Sequence, residues 1–446
     1  MENPLFKQTP TELDAADELR SLREEFRLPG RNAVVGPGTS EPSDVEESNK
    51  NAIYLCGNSL GLQPKETQRL VLEELQVWAD AGVYGHHMHP KSRPWVDIDS
   101  TVTEEMAKVV GGLHSEVAVM GTLTSNLHFL MAAFYKPTVS RFKIILEDKA
   151  FPSDHSQACW HGFSSDDALI TISPRPGCYT LNTDDILEVI ENNRESTALV
   201  LLPGVQYYTG QLFEMEKITK FAKERGIVIG WDLAHAVGNV ELRLHDWDVD
   251  FAVWCSYKYL NSGPGGIGGI FVHESQSKQS RLTGWWGHEK ATRFAMENDF
   301  SAIPGAAGFQ HSNPSVLATV CLLGSLRVFA QTNMRALRRK SINLTGYMEH
   351  LLLTDPETSR YFEIITPRNP SERGAQLSLL FRKGIMEEVY KKLELSGIVV
   401  DKRQPDVIRV APTPLYNTYE DVFNFSVKLQ EAISAAVTGS EARLLD

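Results

Sequence analysis

The sequence predicts an α/β protein: a large domain on a doubly wound, mostly parallel sheet of about seven strands, then a smaller α+β domain. The first observation is that short apolar runs alternate with amphipathic segments between residues 115 and 274. Runs that are apolar throughout are typical of strands buried on both faces of a parallel sheet. The second is a change, after Pro314, to longer helical segments and then shorter strands. We therefore expect the domains 1–64, 65–331 and 332–446, with the first segment packed on the last domain.

Each element of the large domain follows from one stretch of sequence. The predicted strands are VAVMG, FKIILED, ALITIS, TALVLLPG, IVIGWD, VDFAVWCS and IFVHE. The predicted helices that join them are SNLHFLMAAFY, SDHSQACWHGF, TDDILEVIENN and EMEKITKFAKERG. The small domain is expected to contain the strands FEIITP, QLSLLF, IVVDKR and VIRVAP, with helices between them.

Two segments near the N-terminus are predicted from their local chemistry. Thr9 is suited to cap a helix over 9–26, Pro10 to occupy its first turn, and Glu12 to complete a capping box. The stretch GPGTSEPSDVEESNKN at 36–51 is acidic and polar, so we expect a flexible surface insertion there.

The composition argues against several classes of function. The 446 residues include 57 acids and 44 bases, a formal net charge of −13, whereas nucleic-acid-binding proteins usually present a basic face. The five cysteines form no C-x-x-C pair, which indicates reduced thiols and not a disulfide framework. The N-terminus shows no secretory signal pattern, and no apolar run is long enough to span a bilayer. We therefore expect a cytoplasmic protein with neither a nucleic-acid nor a membrane partner.

Several polar side chains follow the predicted parallel strands at the points where the strands end. Asp232 ends IVIGWD, Lys258 lies just after DFAVWCS, and Thr124 follows VAVMG. Ser153 and Asp154 follow FKIILEDKAF in the same way. Because such loops gather at the carboxyl edge of the sheet, a ligand site is expected there. This set suits pyridoxal phosphate, since a lysine forms its Schiff base, an acid keeps its pyridine nitrogen protonated, and hydroxyl groups bind its phosphate.

Each of these residues also has an ordinary structural interpretation. Lys258 lies between two tyrosines after an apolar run, so it either extends to solvent or is desolvated and reactive. Asp232 alone would serve as a cap for LAHAVGN, and Phe151 alone as a core side chain. Thr124 and Ser125 would serve as N-caps of the helix that follows them. The ordered combination of these residues is what favours a cofactor site.

Two further motifs have competing interpretations. GPGGIG at 263–268 has the glycine spacing of a dinucleotide-binding loop, which would indicate an oxidoreductase. That loop has to be followed by a helix, whereas the sequence after GPGGIG predicts a strand. We expect these glycines to allow the backbone to approach the lysine loop closely. His86, His87 and His89 of HHMHP would suit zinc, but no carboxylate or thiol motif accompanies them, so no metal site is predicted.

Longer stretches resemble the kynureninase family, which are pyridoxal phosphate enzymes of fold type I. The resemblance is closest in WDLAHAVGNVELRLHDWDVDFAVWCSYKYLNSGPGG, around Lys258, and covers nearly the whole chain. The other blocks, in family order, are YLCGNSLGLQPK, TLTSNLHFLM, AFPSDH, YYTGQLF, GWWGHE, GFQHSNPS and DKRQPDVIRVAPTPLYN. Related aminotransferases and cysteine desulfurases share the acid and the lysine but not these blocks, and they are the alternative within this fold.

The resemblance implies a role for each matched residue. Lys258 is implied to form the Schiff base, Asp232 to contact the pyridine nitrogen, and Arg409 to bind the substrate α-carboxylate. The other residues implied to hold the cofactor are Leu123, Thr124, Phe151, Pro152, Ser153, Asp154, Tyr208, His235, Tyr257, Trp285 and Asn313. His86 is the preferred substrate-side histidine because it directly follows Tyr84-Gly85. Pro203 departs from many members of the family, which have a serine or threonine touching the cofactor there.

The implied activity is hydrolysis of L-kynurenine, 3-hydroxy-L-kynurenine or both to the corresponding anthranilate and L-alanine, a step of tryptophan catabolism and NAD biosynthesis. Trp285 and Asn313 are implied to reach the cofactor phosphate of a neighbouring subunit, so we expect a homodimer with shared active sites. A non-catalytic binding module is disfavoured because Lys258 and Asp232 are both present.

Overall fold

A computed structural model describes residues 7–35, 50–158, 165–276, 278–295 and 298–443. The chain divides into two compact units. The first, here called the terminal unit, comprises Met1–Lys65, Tyr207–Gln211 and Gln331–Asp446. The second, here called the sheet unit, comprises Glu66–Gln206 and Leu212–Ala330. The acidic insertion expected at 36–51 lies outside the described residues, apart from its last two positions.

Fifteen strands and fourteen α-helices form the regular structure of the described residues. The strands are β1 (Phe26–Arg27), β2 (Ile53–Tyr54), β3 (Gln63–Pro64), β4 (Val117–Val119), β5 (Lys143–Glu147), β6 (Leu169–Ile172), β7 (Thr197–Pro203), β8 (Val228–Asp232), β9 (Phe251–Cys255), β10 (Gly268–Val272), β11 (Phe362–Ile364), β12 (Leu377–Phe381), β13 (Ile398–Val399), β14 (Asp401–Arg403) and β15 (Val407–Val410). The helices are α1 (Pro10–Ala15), α2 (Arg31–Val35), α3 (Lys65–Ala81), α4 (Ser100–Val110), α5 (Leu123–Phe134), α6 (Pro152–Ala158), α7 (Ser165–Ala168), α8 (Thr183–Asn192), α9 (Met215–Lys223), α10 (Val316–Phe329), α11 (Met334–Thr354), α12 (Pro356–Ser359), α13 (Met386–Leu395) and α14 (Tyr419–Arg443).

A seven-stranded sheet forms the centre of the sheet unit, in the order β4-β10-β9-β8-β7-β5-β6. The five strands from β9 to β6 are parallel, whereas β10 pairs antiparallel with both β9 and β4. Each of the seven apolar runs overlaps one of these strands, and β9 and β10 are buried along their whole length. The predicted α/β class with a mostly parallel sheet is therefore confirmed.

The terminal unit is built on a four-stranded antiparallel sheet in the order β11-β12-β15-β14. Its apolar core combines this sheet with side chains of α11, α13 and α14. The segment Tyr207–Gln211 is tied to this sheet by hydrogen bonds. Ser378 Oγ donates to the Tyr208 carbonyl at 2.6 Å, and Arg409 Nη1 donates to the Tyr207 carbonyl at 2.7 Å.

The helix predicted over 9–26 is shorter than expected. Its start is confirmed, since Thr9 caps it, Pro10 is its first residue and Glu12 completes the capping box. However, α1 ends at Ala15, and a 3₁₀ turn follows only at Arg20–Glu25. The reason is that the Asp17 carboxylate accepts a hydrogen bond from the Leu19 N–H at 3.0 Å, a local turn that competes with helical bonding.

Among the described helices, no single one is both long and apolar enough to cross a membrane. The consecutive helices Val316–Phe329 and Met334–Thr354, which are bent relative to each other, meet the criteria of length and composition only when they are taken together.

Candidate active site

The carboxyl ends of the parallel strands carry the ionisable groups of the candidate site. Asp232 is the last residue of β8, Glu147 is the last residue of β5, and Lys258 follows β9 by three residues. Asp154 lies in the first turn of α6, which follows β5. Because parallel strands end at one edge of the sheet, these side chains come together. Their charges interact: the Lys258 ammonium lowers the pKa of both Asp154 and Asp232.

Asp154 and Asp232 form a buried carboxyl pair, with exposed fractions of 3% and 5%. Burial raises the pKa of Asp154 well above its usual range, and the adjacent Asp232 raises it further. Burial also raises the pKa of Asp232, although hydrogen bonds oppose this effect. One of them is donated by the Ala234 N–H to Asp232 Oδ1 at 2.8 Å. Asp232 therefore accepts a hydrogen bond within its own turn and also belongs to the group of ionisable side chains at the ends of the parallel strands.

Glu147 is a third buried acid, and it is not among the residues predicted from the sequence. Burial raises its pKa to about 8, and the charge of Asp232 adds to this shift. Gln206 Nε2 donates to Glu147 Oε1 at 3.4 Å, which opposes it. The only signal in the sequence is its position as the final residue of the buried run FKIILE.

Lys258 is partly exposed, so its side chain is not enclosed by the neighbouring tyrosines. Its Nζ lies 5.9 Å from the centre of the Tyr257 ring. Burial raises the pKa of the Tyr257 phenol, and that of Cys255 is raised for the same reason. Partial exposure does not decide between extension to solvent and a desolvated, reactive lysine, and the reactive role stays a prediction.

The glycines after the lysine act mainly through backbone conformation. Gly263 and Gly265 have φ of +93° and +64°, and no atom lies within 4 Å of a Cβ built on either. The close approach expected from this loop occurs at Gly266, where a Cβ would lie 2.2 Å from Ser262 Oγ in the lysine loop. The strand β10 begins two residues later, at Gly268, so a strand follows the glycines as the sequence indicated.

Two buried polar atoms at the acid pair lack a hydrogen-bond partner. Ser153 Oγ and Asp154 Oδ1 are buried and have no hydrogen-bond partner among the described residues. Buried polar atoms are usually paired, so such atoms at a strand-end cluster are suited to contact a polar cofactor. Phe151, with 48% of its surface exposed, and Pro152 lie next to them on the exposed side. The core interpretation of Phe151 is therefore wrong.

Leu123 and Thr124 open helix α5, and Thr124 is exposed. The N-cap of this helix is Thr122, whose Oγ1 lies 3.0 Å from Ser125 Oγ. The interpretation of Thr124 and Ser125 as N-caps is therefore wrong, because both lie inside the first turn.

His235 is buried, and its ring centre lies 6.4 Å from that of Tyr259 in an edge-on arrangement. It follows β8 by three residues and is held locally by Asn239, whose side-chain amide donates to the His235 carbonyl at 2.8 Å. His235 thus belongs to the same strand end as Asp232.

Asn313 lines a cavity of about 370 Å³ together with Thr122, Gly265 and His311. His311 stacks on Phe129 with 3.7 Å between ring centres, and burial lowers its pKa. Trp285 is not among the residues lining this cavity. Its indole is 48% exposed and lies 6.0 Å from the Phe294 ring.

The histidines of HHMHP have separate environments. His86 is exposed, with its ring edge-on to Trp95 at 5.5 Å. His89 is buried, and its Nε2 lies 2.9 Å from Glu74 Oε2. A carboxylate therefore does accompany this motif, contrary to expectation, but Glu74 also accepts hydrogen bonds from Arg93 and is a structural partner.

Arg409 and Tyr208 belong to the terminal unit. Arg409 is almost fully buried on β15, opposite Asp401 on β14. Its Nε and Nη2 contact the two carboxylate oxygens of Asp401 at 3.2 and 2.9 Å. Tyr208 is partly exposed, and its ring centre lies 6.4 Å from that of Tyr207.

Solved structures of cysteine desulfurases have the same fold as this chain. The enzyme from Thermococcus onnurineus NA1 superposes with a TM-score of 0.71 at 18% identity, covering 86% of this chain and 95% of that one. The CsdA enzyme from Escherichia coli gives a TM-score of 0.72 at 16% identity, covering 96% of this chain and 99% of that one. At these identities the likeness establishes the fold alone.

Sequence comparison is more specific. Residues 337–429 match the model of the kynureninase C-terminal domain. Kynureninase 1 of Aspergillus oryzae is 52% identical over 95% of this chain and 93% of its own length. Kynureninase 2 of Aspergillus terreus is 49% identical over 97% of both chains. Because about half of its residues are identical to these relatives over nearly its full length, the chain belongs to the kynureninase family.

Proposed function

We propose that this protein uses pyridoxal 5′-phosphate to hydrolyse L-kynurenine, 3-hydroxy-L-kynurenine or both, giving anthranilate or 3-hydroxyanthranilate and L-alanine. Membership of the family supports the reaction. The observation that carries the proposal is the position of Lys258 at the sheet edge where the buried acids Asp154 and Asp232 lie. When bound, the cofactor supplies an electron-withdrawing ring that stabilises negative charge on the reacting substrate.

The residues at the strand ends suit this cofactor. Lys258 would carry it through a Schiff base, and Asp232 would hold the pyridine nitrogen protonated. Ser153 Oγ and Asp154 Oδ1, which have no partner among the described residues, would gain one. The other proposed cofactor contacts are Leu123, Thr124, Phe151, Pro152, Tyr208, His235, Tyr257, Trp285 and Asn313.

Asp232 has to be ionised to hold a pyridinium N–H. Burial raises its pKa, but an opposite charge at hydrogen-bond distance favours the carboxylate and offsets that effect. The pKa of Asp154 is raised more strongly, in part by Asp232 itself. We expect Asp154 to hold its proton more tightly than Asp232, so that Asp232 is the member of the pair that ionises first.

Substrate binding is assigned to Arg409. Asp401 accepts hydrogen bonds from its Nε and from one Nη2 hydrogen, and the Tyr207 carbonyl accepts one from Nη1. A guanidinium has five N–H groups, so one on each terminal nitrogen is left for a bidentate bond with the substrate carboxylate. Lys258 Nζ would be the group that moves the substrate α-proton, and exposed His86 is the proposed substrate-side histidine.

The assembly we propose is a homodimer. Several large apolar side chains of the sheet unit are exposed on α3 and in the turn that follows it; they are Leu72, Leu75, Trp78, Val83, Tyr84 and Met88, with exposed fractions between 40% and 70%. Apolar clusters of this kind mark protein interfaces, and a second copy of the chain provides a matching surface by two-fold symmetry. Exposed Trp285 and Asn313 are then available to a partner's cofactor.

We also propose a cytoplasmic location and a role in tryptophan catabolism and NAD biosynthesis. The four cysteines within the described residues, Cys56, Cys178, Cys255 and Cys321, are free thiols. Free thiols are typical of a reducing compartment. The domain roles proposed are cofactor binding by 65–331, with 1–64 and 332–446 acting together on the substrate side.

The direct test is turnover. Purified protein with pyridoxal phosphate is incubated with kynurenine or 3-hydroxykynurenine, and the aromatic acid and alanine are quantified separately. We expect equal amounts of the two products, and the ratio of kcat/KM for the two substrates identifies the preferred one. Sulfur release from cysteine, or transfer of an amino group to a keto acid, without cleavage of either substrate would contradict the proposal.

The cofactor linkage is tested by borohydride reduction and mass spectrometry. We expect a pyridoxyl group on the peptide that contains Lys258 and none in Lys258→Ala, which should keep the wild-type circular dichroism spectrum. Lys278→Ala removes an exposed lysine of the same unit and should label normally. A label on another lysine in the wild-type protein would overturn the assignment of Lys258.

A further inference from the structure

A second cluster of ionisable groups lies at the opposite edge of the seven-stranded sheet. It consists of Glu116, which directly precedes β4, His273, which directly follows β10, and His245, in the connection between β8 and β9. The His273 N–H donates to the carbonyl of Asp250, the residue before β9. The cluster therefore lies where the parallel strands begin, whereas the active-site acids lie where they end.

The three side chains present two imidazoles and one carboxylate to a common point. His245 Nδ1 lies 3.0 Å from Glu116 Oε1, and His273 Nε2 lies 3.8 Å from the same oxygen. One ligand atom from each residue lies within 4.8 Å of the other two. Ligands of a tetrahedral zinc ion with bonds of about 2.0–2.2 Å stand roughly 3.4 Å apart, so small side-chain shifts bring these atoms to that spacing.

The ligand atoms are held in place by surrounding bonds. Glu116 is fully buried, and its two oxygens accept hydrogen bonds from the N–H groups of Leu113 and Glu274, both at 2.9 Å. His273 Nδ1 lies 2.8 Å from Ser275 Oγ. The Ser275 N–H donates to the same nitrogen at 3.2 Å, so without a metal Nδ1 accepts and Nε2 carries the ring hydrogen. A metal ion bound at Nε2 would require this hydrogen to move to Nδ1, where Ser275 Oγ can accept it. Metal-binding histidines are typically oriented by such a bond on the ring nitrogen that does not bind the metal.

An ion pair between Glu116 and His245 explains only part of this arrangement. His273 Nε2 lies 3.8 Å from Glu116 Oε1 and 3.7 Å from Asp248 Oδ1, distances too long for a hydrogen bond to either carboxylate. The two imidazole rings are also nearly parallel, with 5.2 Å between their centres. Two imidazoles and a buried carboxylate at these distances can reach a common cation after small side-chain shifts.

We propose that Glu116, His245 and His273 bind a divalent transition-metal ion, of which Zn²⁺ best suits two imidazoles and a carboxylate. Water or Asp248 completes the four ligands; Asp248 Oδ1 is also held by Lys223 Nζ at 2.8 Å. The ion joins the start of β4, the end of β10 and the entry to β9, and so links the two antiparallel strands to the parallel part of the sheet. Its role is structural, because its ligands belong to the edge away from the catalytic residues.

The test is a zinc titration of the cofactor-loaded enzyme, freed of affinity tags and treated with a chelator. Competition against a chromophoric chelator should give about one Zn²⁺ per chain. His245→Ala and His273→Ala should each weaken binding at least about 10-fold, and Ser275→Ala should weaken it by a smaller factor. His114→Ala is the matched control: it removes an exposed histidine from the segment that contains Glu116 and should bind zinc as the wild type does.

Thermal unfolding gives a second readout that does not depend on activity. Zinc that binds only the folded protein should raise the Tm of the wild type and of His114→Ala, and should leave the Tm of the two ligand variants unchanged. His245 is partly exposed, so His245→Ala is expected to fold normally. The proposal is wrong if the wild type takes up no zinc, or if both ligand variants take up as much zinc as the wild type.

Discussion

The carboxyl groups of Glu147, Asp154 and Asp232 are all buried at the sheet edge that carries Lys258. A buried negative charge is costly unless an opposite charge or a hydrogen bond compensates it. Lys258 lowers the pKa of Asp154 and Asp232, whereas Asp232 raises those of Asp154 and Glu147. The protonation states of these groups are therefore coupled, and replacing one residue changes the ionisation of the others.

Asp232→Asn should retain part of the cofactor but lose turnover. An amide cannot hold the pyridine nitrogen protonated, so kcat should fall by about 100-fold or more. Steady-state assays and the cofactor absorbance spectrum of the same sample measure the two effects. Asp246→Asn, which changes an exposed acid in the β8–β9 connection, is the control. Activity of Asp232→Asn within a few-fold of the wild type would exclude the proposed role.

Glu147→Gln should change how the stability of the cofactor-free protein depends on pH. The pKa of Glu147 rises from its ordinary value of 4.5 to about 8, so the folded state keeps a proton that the unfolded state loses in this interval. The stability contributed by Glu147 is complete below about pH 4.5 and is lost as the pH rises to about 8, by up to about 1.4 kcal/mol per pH unit. Glutamine does not titrate and can still bond to Gln206.

Urea unfolding midpoints from pH 5 to pH 8 check this expectation. The difference in urea midpoint between Glu147→Gln and the wild type should grow in favour of the variant as the pH rises. The midpoint of Glu188→Gln, which changes an exposed acid, should follow that of the wild type at every pH. A constant difference between Glu147→Gln and the wild type across the whole range would mean that Glu147 does not titrate there.

Arg409→Ala should affect mainly substrate binding. Without the guanidinium the substrate carboxylate loses its charge-assisted bonds, a loss of roughly 2–4 kcal/mol, so KM should rise by about 30- to 1,000-fold. The cofactor spectrum should not change. Arg403→Ala, which removes the more exposed arginine beside Asp401, is the control. Loss of cofactor with an unchanged KM would place the substrate contact elsewhere.

The sequence was informative about those site residues that directly follow strands. Asp232 and Lys258 could be paired because each follows an apolar run, and parallel strands bring such positions together. Glu147 was missed because a final glutamate ordinarily marks the exposed end of a strand. The contact of Arg409 with Asp401 was also missed, because it depends on the register of β14 against β15, which no local pattern specifies.

At the level of secondary structure, apolar runs located every strand of the large sheet, because fully buried strands have little alternative to an unbroken apolar sequence. The N-terminal helix was predicted too long because the turn at Asp17 is a side-chain effect inside a helical pattern. That early ending places Asp14, near the C-terminus of α1, against the start of α14. Its carboxylate accepts hydrogen bonds from the Tyr419 and Glu420 N–H groups at 2.7 and 3.1 Å.

Asp14→Ala should therefore destabilise the start of α14. Two backbone N–H groups lose their acceptor, which costs about 1–2 kcal/mol and lowers the urea midpoint. Asp14→Asn keeps one acceptor oxygen and should recover part of the loss. Glu18→Ala, which removes an exposed acid paired with exposed Arg339, serves as the control and should have little effect. A midpoint for Asp14→Ala equal to that of the control would show that α14 begins without this cap.

At the scale of the whole molecule, the proposed dimer shares residues between active sites. If Trp285 and Asn313 act on the partner's cofactor, a mixture of inactive Lys258→Ala and inactive Asn313→Ala chains should regain activity after subunit exchange. Half of the dimers are then mixed, and one of their two sites is intact, so about a quarter of the wild-type activity is expected.

A mixture of Lys258→Ala and Asp232→Asn is the matched control, because both residues serve the site of their own chain. It should regain nothing. Equal behaviour of the two mixtures, with subunit exchange verified by mass spectrometry, would show that Asn313 acts within its own subunit.

The five-residue segment Tyr207–Gln211 belongs to the terminal unit, although its neighbours in sequence belong to the sheet unit. This segment, here called the excursion, limits how the protein can be divided into parts. The chain passes between the two units at 65/66, 206/207, 211/212 and 330/331. The matched kynureninase C-terminal region, 337–429, is continuous in sequence, yet Arg409 and Ser378 within it hydrogen-bond to backbone carbonyls of the excursion. A gene segment that encodes only the C-terminal quarter of the chain therefore specifies an incomplete structure. Recombination near residue 330 would join Arg409 from one parent to a Tyr207–Gln211 segment from another, and the conformation of that segment positions the carbonyl that Arg409 binds. The two parts of such a gene are therefore expected to diverge together.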